Sequence, residues 1–120
     1  FLPVGLRYER PGMQIILDSF GGVPTWNFFV RIAATGPQVL SLAEDDVTFV
    51  DAGGDVVGDV VEVSAPLLEI APGGRIDGAL IFEPIDRIRG VSLRIDVNGP
   101  EDPVALEIPL RTVIDPDAPA

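Results

Sequence analysis

The chain has 120 residues, 47% of them hydrophobic and 22% charged, with 19 acidic residues against 8 basic ones and a net charge of −11. That length suits one domain around one core, and that composition is globular rather than disordered. The acidic field repels phosphate backbones, which excludes nucleic acid as a partner. The absence of His and Cys excludes imidazole and thiolate metal sites and Ser-His or Cys-His nucleophile pairs.

In chain order, Val4, Leu6 and Tyr8 alternate with Arg7 and Glu9, and Pro11-Gly12 turns the chain. Met13, Ile15 and Leu17 alternate with Gln14 and Asp18, which predicts a second strand ending at Gly21-Gly22. Trp26, Phe28, Val30 and Ile32 share one face of a strand that runs to Ala34, and its aromatic rings mark the centre of the core. Val39 to Leu42 reads as a short strand, followed by the acidic turn Glu44-Asp45-Asp46. Val47 to Val50 resumes β structure, and Asp51-Ala52-Gly53-Gly54-Asp55 reads as a hairpin tip before the β-branched run Val56 to Val63.

Leu67 to Ile70 leads into the turn Pro72-Gly73-Gly74, after which Ile76, Gly78, Leu80 and Phe82 fall on one side of a strand. Pro84 to Arg89 has room for one helical turn. Val91, Leu93, Ile95 and Val97 then alternate strictly with Ser92, Arg94 and Asp96, the pattern of a half-buried antiparallel strand. Asn98-Gly99-Pro100 turns the chain into a last strand carrying Val104, Leu106, Ile108 and Leu110. Turn signals recur at the spacing of an all-β domain, and no long window carries a 3.6-residue period. The sequence therefore predicts a two-sheet antiparallel β-sandwich of seven to nine short strands over residues 1–112, with residues 113–120 a polar, Pro-rich tail or linker. Trp26, Phe28, Val30, Phe49, Leu80, Phe82, Leu93 and Ile95 are its predicted core.

Several motifs taken together resemble a broad group of immunoglobulin-like bacterial and archaeal envelope domains, many of them lipoproteins. These are Trp26-Asn27-Phe28-Phe29-Val30, Val47-Thr48-Phe49-Val50-Asp51, the Pro72-Gly73 turn, Phe82-Glu83 and Val91-Ser92-Leu93. The resemblance spans roughly residues 25 to 97 and implies an immunoglobulin-like sandwich outside the cytoplasmic membrane. Where that group commonly has Asn before a Thr-Gly or Ser-Gly turn, this chain has Ala34. The group supplies no catalytic residue that maps onto this sequence. The first residue is Phe rather than Met, which is read as a trimmed or processed start and agrees with export. No apolar run reaches the ~18 residues of a membrane span, so membrane association would go through an anchor or partner.

Four constellations are candidates for function. Asp51, Asp55 and Asp59 offer carboxylates to Ca²⁺ around the hairpin tip, but their spacing is not an EF-hand loop and ordinary turn chemistry explains them. Glu83 with Asp86, and Asp77 with Glu69, are the carboxylate pairs to test for acid–base work; no Ser has a partner base, and the expectation is that the chain is not an enzyme. Arg87, Arg89 and Arg94 form a local basic group, expected to pair with Asp86, Asp96 and Glu83. Phe1, Leu2, Val4 and Leu6 make an apolar N-terminus, either the first strand of the domain's own sheet or a strand that docks on a neighbour. The expected role is a non-catalytic, extracytoplasmic module acting by contact with a protein partner or by self-assembly, in an envelope complex or filament. A small ligand- or Ca²⁺-binding module at the acidic loops is the alternative.

Overall fold

The structure is a computed structural model that describes residues 2–22, 24–64, 67, 69–97 and 104–114. Among the described residues there are eight strands: β1 (Leu2–Arg10), β2 (Met13–Gly21), β3 (Trp26–Ala34), β4 (Val47–Val50), β5 (Val56–Val63), β6 (Arg75–Phe82), β7 (Ser92–Val97) and β8 (Val104–Pro109). They form one antiparallel sheet in the order β1-β2-β3-β6-β5-β4-β7-β8. Alternation decides which face is buried. On β3, Phe28, Val30, Ile32 and Ala34 are buried; on β7, Leu93, Ile95 and Val97 are; on β8, Leu106 and Ile108 are. All the predicted core residues lie in this core, with Trp26 half-buried at its margin.

One continuous sheet stands where two were expected, and β5 is the reason. Its first half pairs with β4 (Thr48↔Asp59, Phe49↔Gly58) and its second half with β6 (Val60↔Phe82, Val63↔Leu80). A register shift interrupts each pairing, at Phe49/Val50 and at Val60/Glu62. Bulges bend a strand and raise its twist, so a strand bulged toward both neighbours turns a corner and curls the sheet into a half-barrel. Gly58 sits within that corner. A Cβ there would lie 2.9 Å from Phe49 Cδ2, so the missing side chain lets the ring pack against the β5 backbone.

Curling brings β3 and β4 face to face across the core, although β6 and β5 separate them in the sheet. Phe49 stacks on Phe82 with centroids 3.9 Å apart, and Phe28 meets Phe49 and Phe82 edge-on at 6.0 and 5.8 Å. Phe20 and Trp26 extend this cluster toward the sheet margin. The near-perpendicular pairs are a favoured aromatic geometry, and all of these contacts accompany the burial of the rings.

Three local expectations change. The run Val39–Leu42 contributes a single bridge, Leu40↔Ile70, rather than a strand, while Leu40, Leu42, Leu67 and Ile70 enter the core. No helical turn forms over Pro84 to Arg89; Ile85 and Ile88 are drawn onto the core from an irregular crossover. A short helix, α1 (Leu110–Ile114), forms instead where a tail was expected to begin. Leu110 N–H bonds to Val91 O at 2.9 Å, Leu110 and Val113 are fully buried, and Ile114 packs on the core, so the folded part runs at least two residues past Thr112. Residues 115–120 lie outside the described residues.

Candidate functional site

The hairpin tip between β4 and β5 is held by its own acid. Asp51 Oδ1 accepts hydrogen bonds from Gly53 N–H at 2.9 Å and Asp55 N–H at 3.0 Å, the Asx-turn use of an aspartate. Asp55 is exposed beyond it, and Asp59 lies within β5 opposite Thr48. Asp51, Asp55 and Asp59 are thus spread from the tip into the strand. Among the described residues, no group of three or more Asp or Glu gathers as a metal-holding cluster. In the acidic turn Glu44–Asp46, the Asp46 carboxylate accepts the Ala43 N–H at 3.0 Å, again local backbone chemistry.

All four members of the carboxylate pairs are exposed. Glu83 and Asp86 are exposed at the start of the crossover, and Glu69 is exposed in the segment that precedes β6. Asp77 instead faces Arg31 across the β3–β6 ladder, with Arg31 Nε 2.5 Å from Asp77 Oδ1. The hydrogen bond from Arg31, aided by its charge and that of Arg75 and opposed by burial, holds the Asp77 carboxyl below its usual value. That direction is opposite to what a general acid needs. The expected pairing of Arg94 is present: its Nε lies 3.1 Å from Asp96 Oδ2 and its Nη1 3.7 Å from Glu107 Oε1. Arg87 Nε donates to Arg89 O at 3.0 Å, so these two arginines shape the crossover while Arg94 braces β7 against β8.

The Arg31–Asp77 pair lies in a feature the sequence reading missed, a trough of about 510 Å³ on the outer face of β2, β3 and β6, whose lining includes Asp18, Ser19, Phe29, Ser64 and Ala79. A register shift between Leu17 and Ser19 makes Asp18 a bulge residue, exposed while Leu17, Ser19 and Phe20 are all buried. Ser64 then carries the ladder past the end of β5, accepting Ala79 N–H at 2.8 Å and donating to Ala79 O at 3.2 Å. The break of alternation at Leu17-Asp18-Ser19-Phe20 is the sequence signal that marks this place.

The apolar N-terminal segment forms β1. Leu2, Val4 and Leu6 belong to a strand that hydrogen-bonds to β2 within the domain's own sheet, and Leu6 and Tyr8 pack on the core; Phe1 lies outside the described residues. Burial pushes the Tyr8 hydroxyl above its ordinary value, against the opposing charge of Arg10. The pairing of β1 shifts register between Pro3 and Leu6, around Gly5 at φ 69°, and is then regular from Leu6↔Leu17 to Arg10↔Met13. β1 stands at the end of the sheet, so its other side meets no described strand, and Arg7 and Glu9 are exposed beside that free edge. No described helix is long and apolar enough to cross a membrane.

No family model matches this chain, and no curated protein gives a significant match. Among solved structures, the crystal structure of the yjhA protein from Bacillus subtilis is similar, with a TM-score of 0.59 over 80% of this chain and 81% of that one, at 11% identity. At that identity the likeness is one of fold.

Proposed function

We propose that this domain is a non-catalytic, extracytoplasmic module of immunoglobulin-like type that works by protein–protein contact, as an accessory or assembly subunit of an envelope complex or filament. In this reading β5 is the strand common to both layers of a sandwich. One observation carries the contact role: the regular edge of β1 from Leu6 to Arg10, at the end of an open sheet, which meets no described strand. An open edge presents a row of backbone donors and acceptors that another strand can satisfy. The extracytoplasmic placement draws on the resemblance to envelope domains.

The test is a photo-crosslinking side chain placed at position 7, beside the free edge, and at position 48, in the middle strand β4 as a control, in the cells that make the protein. Adducts are expected from position 7 and not from position 48, in the fraction outside the cytoplasmic membrane. A protein that gives no adduct from position 7 is not a contact module of this kind, and adducts confined to the cytoplasm refute the placement.

A further inference from the structure

Among the described residues, several stretches of strand edge are open, and they are not equivalent. Each half of β5 pairs with one neighbour only, but both halves carry a bulge and their charged residues, Asp59 and Glu62, are both acidic. The free side of β8 ends at Pro109, which has no N–H, and its one described charge, Glu107, is engaged with Arg94. The start of β1 is interrupted at Pro3 and Gly5. Bulges, prolines and charged side chains are the usual means of blunting an edge. The stretch from Leu6 to Arg10 has no bulge and no Pro, and its charges, Arg7, Glu9 and Arg10, are of both signs.

That stretch is also complementary to itself. Arg7 and Glu9 lie on one face of β1, two residues apart, with Tyr8 between them on the other. Among the described residues, neither makes an ion pair; the Glu9 carboxylate accepts the Gln14 side-chain N–H at 3.0 Å, and the Glu9 carbonyl oxygen accepts from the exposed Arg10 guanidinium at 2.9 Å, a contact that pairing would have to share or displace. In an antiparallel pair centred on Tyr8, Arg7 of one strand stands directly opposite Glu9 of the other, and the symmetry makes that contact twice. Leu6 stands opposite Arg10, whose long apolar stem can lie against it. Opposite charges directly across a ladder stabilise it and like charges oppose it. The same operation on β5 or β8 sets no acid against a base.

We propose that the free edge of β1, Leu6–Arg10, pairs antiparallel with the same edge of a second copy of this chain, about a two-fold axis through Tyr8. This rests on reading the domain as a contact module and names the partner. The contact is isologous and closed, so it yields a dimer with one sheet running through both copies rather than a filament. Five residues a side make a small interface, so the dimer is weak and forms at high local concentration.

The experiment is sedimentation of the purified chain from about 10 μM to about 1 mM at low salt, where a small interface shows its association. The wild type is expected to dimerise. Arg7→Glu sets Glu against Glu at both contacts, Glu9→Arg sets Arg against Arg, and each should weaken the dimer by about tenfold or more. The double change Arg7→Glu with Glu9→Arg restores both pairs and should restore the dimer. Circular dichroism confirms that all three variants stay folded, as exposed positions allow. A wild type that stays monomeric throughout, single variants that dimerise as well as the wild type, or a double variant no better than either single one overturns the proposal. The crosslink at position 7 keeps the two readings apart. An adduct of two copies agrees with the dimer, an adduct of a different protein removes the dimer and leaves the contact role standing, and no adduct removes both.

Discussion

The corner at β5 depends on a coupling between Phe49 and Gly58 that a double-mutant cycle can measure. Gly58→Ala adds a Cβ 2.9 Å from Phe49 Cδ2 and 3.5 Å from Phe49 Cβ. The ring has nowhere to retreat, because Phe49 is fully buried and stacked 3.9 Å from Phe82. Gly58 is not among the positive-φ glycines, so alanine meets no backbone strain and the penalty is steric. Overpacking of this kind costs about 1–3 kcal/mol, and Phe49→Ala costs about 3–5 kcal/mol through lost burial, the cavity and the lost ring pairs. Independent effects would sum to roughly 4–8 kcal/mol, enough to unfold a typical domain. With the ring gone, the added Cβ enters the space it left, and Gly58→Ala should cost close to nothing or recover part of the loss. Urea unfolding of the four proteins gives the coupling, and Phe49→Leu keeps the cycle measurable where the alanine variant starts unfolded. Equal costs of Gly58→Ala in the two backgrounds would refute the account of the corner.

Removing residues 1–10 should destabilise the isolated domain, because β1 covers β2 and Leu6 and Tyr8 pack on the core; calorimetry of a truncation that melts like the intact chain would show otherwise. Val113→Ala should cost about 2 kcal/mol in denaturant unfolding, since its side chain is fully buried although it lies beyond the boundary expected from sequence. Asp51→Ala should lower stability by about 1 kcal/mol, with or without Ca²⁺, because its Oδ1 holds two backbone N–H groups of the tip; a loss seen only with Ca²⁺ would make it a ligand instead. The Asp77 carboxyl is lowered in the folded state, so its contribution is present above the ordinary carboxylate value and fades as pH falls through the folded value. Asp77→Asn should therefore flatten the acid limb of the stability–pH profile and leave the neutral-to-alkaline limb parallel to the wild type.

How much of this was legible in the sequence follows from what each signal measures. Period-2 alternation reports which face of a strand is wet, and it located Phe28, Val30, Phe49, Leu80, Phe82, Leu93 and Ile95 in the core. It does not report partners, so it could not reveal that β5 changes neighbours halfway. Gly58, inside a valine-rich run, is the close approach that permits the corner. The tail beginning at residue 113 was inferred from Pro and Asp in residues 115–120, a composition signal too coarse to see that Val113 and Ile114 still reach the core. The turn role of Asp51 is legible because an aspartate near Gly-Gly acts on its own backbone, within a few residues. The Arg31–Asp77 pair joins residues 46 positions apart, and only the β3–β6 register places them together.

The same geometry decides between two accounts of the exposed apolar surface. Hydropathy alone would choose β5 as the docking strand, since Val56, Val57 and Val61 are 56%, 45% and 51% exposed. Val57 and Val61, however, are the residues skipped at the two register shifts, where a bulged strand turns its extra side chain out of the ladder. Their exposure is what bending the sheet at β5 costs, and the nearby Asp59 and Glu62 discourage a neighbouring strand. On β1 the relation is reversed. There the apolar side chains, Leu6 and Tyr8, are folded onto the core, the exposed ones are Arg7, Glu9 and Arg10, and the outer backbone meets no described strand, its Glu9 carbonyl touched only by the neighbouring Arg10 side chain. Backbone pairing gives affinity with little hydrophobic area, and the alternating charges set the register. On the proposed reading, the contact site is marked by a hydrogen-bonding edge and a charge pattern, not by the greasiest surface.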